Sequence, residues 1–233
     1  GTRSGLNRLD PQTEKFRQFK THPNDPGSIS NNQISAIHGD KNGHVWIASA
    51  DGLNLYQPEK DLFLRFYPTK SRKAGTNHIK SFLDDGTGYF WLGTNEALLR
   101  FNKRAGTFSN YSKYPSGTGH PAQIIKKDKA GHLWIGSTEK GLFNLNPASG
   151  TLKHYVHDRQ EPSSIASNLV RSILIDNSNN VWIGGVNGNL NLFLPERQSF
   201  QRFINETSKP ASLSQRTVSA LFEVKQGNIW VGT

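Results

Sequence analysis

The side chains best suited to recognise a ligand in this chain are basic or amide groups: Arg3, His78, Lys80, His120, Lys140, Arg171 and Arg216, with Asn31, Asn77 and Asn168 among them. Guanidinium groups fix carboxylates and sulfates through paired hydrogen bonds, and Asn amides address hydroxyls. The set suits an anionic, hydroxyl-bearing molecule. Covalent and metal chemistry is less well supplied. The chain has no Cys, which excludes disulfides, thiolate zinc sites and Cys nucleophiles, and its eight His show neither an HExxH spacing nor a recurring Glu partner. Asp40, Asp85, Asp128 and Asp176 recur once per repeat beside a tight turn, the pattern of a side chain that caps turn amides. No catalytic residue, metal site or cofactor is expected.

The elements that must position these groups are set by a repeat. Trp46, Trp91, Trp134, Trp182 and Trp230 are 45, 43, 48 and 48 residues apart, and each closes one sentence, as in ISAIHGDKNGHVWIAS and VRSILIDNSNNVWIGG. A period of this length with a recurring Trp indicates stacked copies of one supersecondary unit, none able to bury its own apolar faces. Within a copy, a strand-length run reaches the turn Asp40 to Gly43 or its equivalents, Asp85 to Gly88, Asp128 to Gly131, Asp176 to Asn179 and Val224 to Gly227. This is hairpin chemistry, with Asn179 replacing Gly where positive φ is needed. A dense apolar strand such as Val45 to Ile47 follows, then a small pair, then a third strand such as Gly52 to Tyr56. A turn often holding Pro (Pro11, Pro58, Pro147, Pro195) leads to an outer strand with spaced aromatics, as in Phe63 and Phe66. The expected fold is all-β: a β-propeller of four-stranded antiparallel blades, with five blade repeats over residues 1–233 read as a single domain.

Gly1-Thr2 has the repeat phase of Gly232-Thr233. The chain therefore holds the second half of a blade, four whole blades and the first half of another. The matching phase of the ends favours a five-blade ring closed by pairing residues 1–20 with 218–233; the alternative is an arc of a larger propeller. All five Trp are expected in the packing between blades, without ligand contact. In a propeller the loops returning to each first strand share one face with those joining second to third strands, and the basic set above falls on that funnel face. Three return loops share a pattern, Pro26 to Ser30, Pro162 to Ala166 and Pro210 to Ser214. Outer-strand cations such as Arg17, Arg65, Lys153 and Arg202 read as solvated surface.

The net charge of +10 favours acidic partners. No Lys/Arg run with interleaved aromatics marks a nucleic-acid stripe, so no nucleic-acid partner is expected. No apolar run approaches the roughly 18 residues that cross a bilayer.

The recurring Asp-x-x-Gly, W-[IVL]-[GA]-[ST] and G-L-N elements, present from Gly1 to Thr233, resemble the two-component regulator propeller repeats of bacterial hybrid histidine kinases and related signalling proteins. The resemblance implies a periplasmic sensor propeller, part of a longer inner-membrane protein with a cytoplasmic output module. It implies an oligosaccharide ligand and rings commonly larger than five blades; the net charge of +10 adds the expectation of an acidic small molecule, and a homodimer through the full-length protein is a further expectation. Two other classes stay open: a lyase related to the streptogramin-inactivating propellers, with Glu96 and Glu139 as the nearest acidic candidates, and a protein-interaction scaffold.

Overall fold

A computed structural model describes residues 1–71, 75, 77–111, 114, 121–225 and 227–233. Every regular element among them is a β-strand, and contacts cluster into two compact units, Gly1–Tyr111 and Ser112–Thr233.

The first unit opens with a hairpin, β1 (Leu6–Asp10) and β2 (Lys15–Phe19). Two four-stranded antiparallel sheets follow in simple up-and-down order. One is β3 (Ile34–Gly39), β4 (Val45–Ser49), β5 (Gly52–Gln57) and β6 (Leu62–Phe66); the other is β7 (Ile79–Asp84), β8 (Tyr89–Thr94), β9 (Leu98–Asn102) and β10 (Thr107–Asn110). The second unit repeats the plan with β11 (Ile124–Lys127), β12 (Leu133–Gly136), β13 (Leu142–Leu145) and β14 (Leu152–Tyr155), then β15 (Val170–Ile175), β16 (Val181–Gly185), β17 (Leu190–Leu194) and β18 (Ser199–Phe203). It closes with the hairpin β19 (Ala220–Glu223) and β20 (Ile229–Gly232).

Among the described residues β1 pairs with β2 and β19 with β20, each as a two-stranded sheet, so these residues form four whole blades and two half-blades.

Burial follows the second strand of each blade. In the first unit Trp46 meets Phe90 and Phe101 of the next blade at centroid distances of 5.1 and 5.6 Å, both edge-on, inside a core that includes Ile79, Leu92 and Leu99. In the second unit Trp134 meets Phe193 at 4.8 Å, within a core containing Val170, Ile173 and Ile183. Trp46, Trp91 and Trp134 are each 3% exposed. Trp182 is only half-buried, because the sheet that follows it has two strands rather than four. The small residue after the Trp strand permits blade-to-blade approach: a Cβ on Gly184 would lie 2.5 Å from Val218 Cγ1. First strands of neighbouring blades also approach one another within each unit, β3 with β7, β11 with β15, and β15 with β19. They form the inner edge of each stack of blades.

Candidate functional site

The two ends of the strands carry different chemistry. At the first-hairpin end, each turn Asp is a structural hub. Asp40 Oδ1 accepts the amides of Asn42 and His44, and Trp46 Nε1 donates to Asp40 Oδ2 at 3.1 Å. Trp134 to Asp128 and Trp182 to Asp176 repeat the indole bond at 2.9 Å. Burial pushes the Asp40 carboxyl up, but the N–H donors of Trp46, His44 and Asn42 outweigh it and hold the group at about 2. Asp176 is lowered on the same balance, burial opposed by Trp182, Asn180 and Ser178. His44 contributes its ring to Asp40 at 3.1 Å, as Asn180 does its amide to Asp176 at 2.9 Å. The six-residue Asp-to-Trp spacing thus encodes a hydrogen bond between turn and core, a role the sequence reading divided between turn capping and packing.

At the other end, the return loops are built to one pattern. Ser28 Oγ, Ser164 Oγ and Ser212 Oγ accept the amides of His22, Asp158 and Glu206, while Ile29 and Ile165 are buried beneath them. Arg65 and Arg202, read from sequence as solvated outer-strand cations, clamp these loops. Arg65 Nε donates to Ser28 O at 2.6 Å and its Nη2 to Asp25 O at 2.7 Å; Arg202 makes the matching bonds to Ser164 O and Glu161 O at 2.9 and 3.1 Å. The aromatic spacing of the outer strand masked this signal. The Arg directly before the second aromatic, shared by Leu62–Phe66 and Ser199–Phe203, would have revealed it.

The loop-end Asn residues are largely committed to this scaffold. Asn77 is 1% exposed. Its Oδ1 accepts the amide of Thr69, its Nδ2 donates to Asp51 and Ser71 O, and its carbonyl accepts the amide of Gly52. Asn168 takes the amide of His157 on Oδ1 and that of Gly141 on its carbonyl. The residue that does this in the preceding blade is Asn32, whose Oδ1 accepts Thr21 N; Asn31 instead makes a local turn with Gln33 N. The candidate Asn31 is therefore one position away from the repeat role of Asn77 and Asn168, and the buried Asn77 amide has its bonds filled from within the fold.

The basic candidates lie on the same loop ends, in two separate groups. In the first unit Arg3 is exposed, and His78 and Lys80 flank Ile79 half-buried. Burial and then the Lys80 charge lower the His78 pKa, so the imidazole resists protonation. In the second unit Lys140, Arg171 and Arg216 are exposed. Lys140 adjoins Gly141, whose amide is held by Asn168 O, and Arg171 adjoins Val170, whose amide is held by Ser137 O. These backbone bonds place Lys140, Asn168 and Arg171 at one corner of the blade. Arg216 occupies the Asn position of its own loop, its carbonyl accepting Asn189 N. His120 lies outside the described residues.

Lys80 and Arg171 share a backbone feature. The register of the first strand slips between Ile79 and Ser81 and between Val170 and Ser172, leaving Lys80 and Arg171 as the extra residue of a β-bulge; Ser35 is its counterpart in β3. A bulge re-aims one side chain without altering the rest of the strand. Among the described residues, no group of three or more His, Cys, Asp or Glu is placed to hold a metal ion.

Comparison with known families adds the next fact. A family described as two component regulator propeller matches residues 28–51, 164–187 and 212–233. Those three segments are similar to two component regulator propeller repeats. The matched regulator propeller segments contain Asn31, Asn168, Arg171 and Arg216; Asn77, His78, Lys80 and Lys140 lie outside them. No curated protein matches the chain. Among solved structures, the extracellular domain of the proposed hybrid two component system BT3049 from B. thetaiotaomicron aligns at 23% identity with a TM-score of 0.71, over 100% of this chain and 36% of that one. That of the proposed one component system BT4673 from the same organism aligns at 20% and 0.69, over 100% and 37%. PorZ of Porphyromonas gingivalis, described as an essential surface component of the type-IX secretion system, aligns at 17% and 0.74, over 99% and 35%. The chain is an all-β assembly of propeller blades, and it spans about a third of the length of these structures.

Proposed function

We propose that residues 1–233 belong to one ligand-sensing propeller domain on the extracytoplasmic side of a bacterial two-component signalling protein, facing the periplasm and coupled to a histidine kinase or other output module. Its ligand is an acidic oligosaccharide or a similar carboxylate- or sulfate-bearing molecule, bound at the loop ends of the second unit that carry Lys140, Arg171 and Arg216. The observation that carries this reading is the recurring bulge. It puts Lys80 and Arg171 at the same repeat position on the inner edge of their blades, beside the variable loops, with Arg171 exposed. The segments similar to regulator propeller repeats and the extracellular domains of one and two component systems among the matched structures support the signalling context.

Calorimetric titration with oligogalacturonate and with neutral maltooligosaccharide tests it. The acidic chain should bind more tightly, lose affinity as salt is raised, and lose it again in Arg171→Ala and Arg216→Ala. Equal binding of the neutral sugar, or indifference to salt and to both variants, would rule out recognition by this basic set. A docking role for a protein partner is the second reading, favoured by the likeness to PorZ, which is described as a surface component of a secretion system.

A further inference from the structure

The grooves at the first-hairpin end of the strands differ between the two units. In the first unit a cavity of 470 Å³ between the β3–β6 and β7–β10 blades is lined by Trp46, Leu55 and Lys103 among others. Trp46 stands opposite Leu55, and Leu55 opposite Leu64, so the cross-strand row beneath this groove is apolar. Its lysine, Lys103, is already neutralised by Asp84 at 3.1 Å.

The corresponding groove of the second unit, 270 Å³ between the β11–β14 and β15–β18 blades, has another row at the same repeat positions. Trp134 stands opposite Asn144, and Asn144 opposite Lys153. The next blade returns to the apolar choice, with Trp182 opposite Leu192. Asn144 Nδ2 is buried without a hydrogen-bond partner, a state costing on the order of 1–3 kcal/mol. Leu, which two other blades use here, would avoid that cost. Lys153 Nζ and the Tyr155 hydroxyl both donate to one acceptor, Gln198 Oε1, at 2.8 and 2.7 Å. Burial pushes the Tyr155 hydroxyl up to about 12, so it remains a donor. Among the described residues Lys153 pairs with no carboxylate. The nearby acid, Asp128, is 9% exposed and already accepts from Trp134 Nε1 and His132 N.

The groove thus presents an excess of donors, one orphaned, together with an unneutralised cation, and Phe193 and Tyr155 supply apolar walls. We infer that it is a second binding site, distinct from the loop ends, for a single sugar-acid unit whose carboxylate sits on Asn144 Nδ2 and Lys153 Nζ. The cavity is smaller than the roughly 300–1,000 Å³ of drug-sized pockets, which suits one monosaccharide unit. Asn179, Asn180 and Gln198 also line it; Gln198 is bonded at both ends of its amide, and Asn179 Oδ1 and Asn180 Nδ2 are bonded within the fold, so Asn179 Nδ2 and Asn180 Oδ1 are the groups that suit the ligand's hydroxyls. A donor left unsatisfied in the free protein and filled by ligand is a stability cost of the kind binding sites retain.

The test is titration of the chain with D-glucuronate and with D-glucose, followed by ¹H–¹⁵N NMR at the Asn144 and Gln198 side-chain amides and the Trp134 indole. Glucuronate should shift these resonances saturably, and glucose should bind at least about tenfold more weakly, the loss of one charge-assisted contact. Lys153→Gln should weaken glucuronate by a comparable factor. Asn144→Leu should abolish the shifts while raising the unfolding midpoint, and Arg171→Ala should leave them unchanged. The absence of saturable shifts, equal affinity for glucose, or full affinity in Lys153→Gln would overturn the assignment. Lys153 is exposed, so its variant decides the matter even if Asn144→Leu fails to fold.

Discussion

The hairpins β3–β4 and β19–β20 have the same repeat phase and the same backbone bonds at the turn, yet their tryptophans have opposite surroundings. In β3–β4 the turn amide of Gly43 donates to Asp40 O, and Trp46 is 3% exposed; in β19–β20 Gly227 donates to Val224 O in the same way, and Trp230 is 69% exposed. Two things differ. Val224 cannot accept the indole N–H as Asp40 does, and β19–β20 pairs with no third or fourth strand. The backbone of the hairpin therefore needs only the turn, while burial of the Trp needs a complete blade and a neighbouring one.

The largest expected contrast follows directly. Trp46→Ala should cost about 3–5 kcal/mol, as for any large side chain removed from a packed core, read from the shift in urea midpoint. An effect below about 1 kcal/mol would mean that the aromatic cluster around Phe90 and Phe101 does not hold the two blades together. Next is the turn hub. Asp176→Ala orphans the Trp182 indole and the amides of Ser178 and Asn180, and should cost about 1–3 kcal/mol.

The hub also has a pH signature. Asp40 and Asp176 have folded pKa values below the unfolded value, so their contribution is fully present above about pH 4 and is lost as pH falls through the folded values, near 2 for Asp40. Thermal midpoints measured from pH 6 down to pH 2 should be flat and then decline, and Asp40→Asn should flatten the decline. A decline beginning near pH 6 would point to histidine instead.

A smaller loss, about 1–2 kcal/mol, is expected for Arg202→Ala, which frees the carbonyls of Glu161 and Ser164. Lys should not restore it, since the clamp uses two nitrogens of one guanidinium. The smallest effect belongs to Trp230→Ala measured on residues 1–233 alone, within about 0.5 kcal/mol as for other exposed positions. Acrylamide should quench Trp230 fluorescence in a Trp46→Phe, Trp91→Phe, Trp134→Phe, Trp182→Phe background far more readily than it quenches Trp134 alone.

By itself the sequence determined whatever depends on neighbours along the chain. The Trp phase and the Asp-to-Gly turns gave the strands and hairpins, and Asn179 does adopt the positive φ (67°) expected where it replaces Gly. Contacts across blades were legible only where they recur at fixed spacing, as with the buried tryptophans. Tertiary structure decided the rest, because each remaining feature depends on groups distant in the chain. Arg65 and Arg202 became loop clamps 37 and 38 residues from their serines, and Asn77 was drawn into the scaffold. The Asn144 donor lost water without gaining a partner, since whether an amide on a strand meets solvent, a partner or neither is fixed by the blade that packs over it.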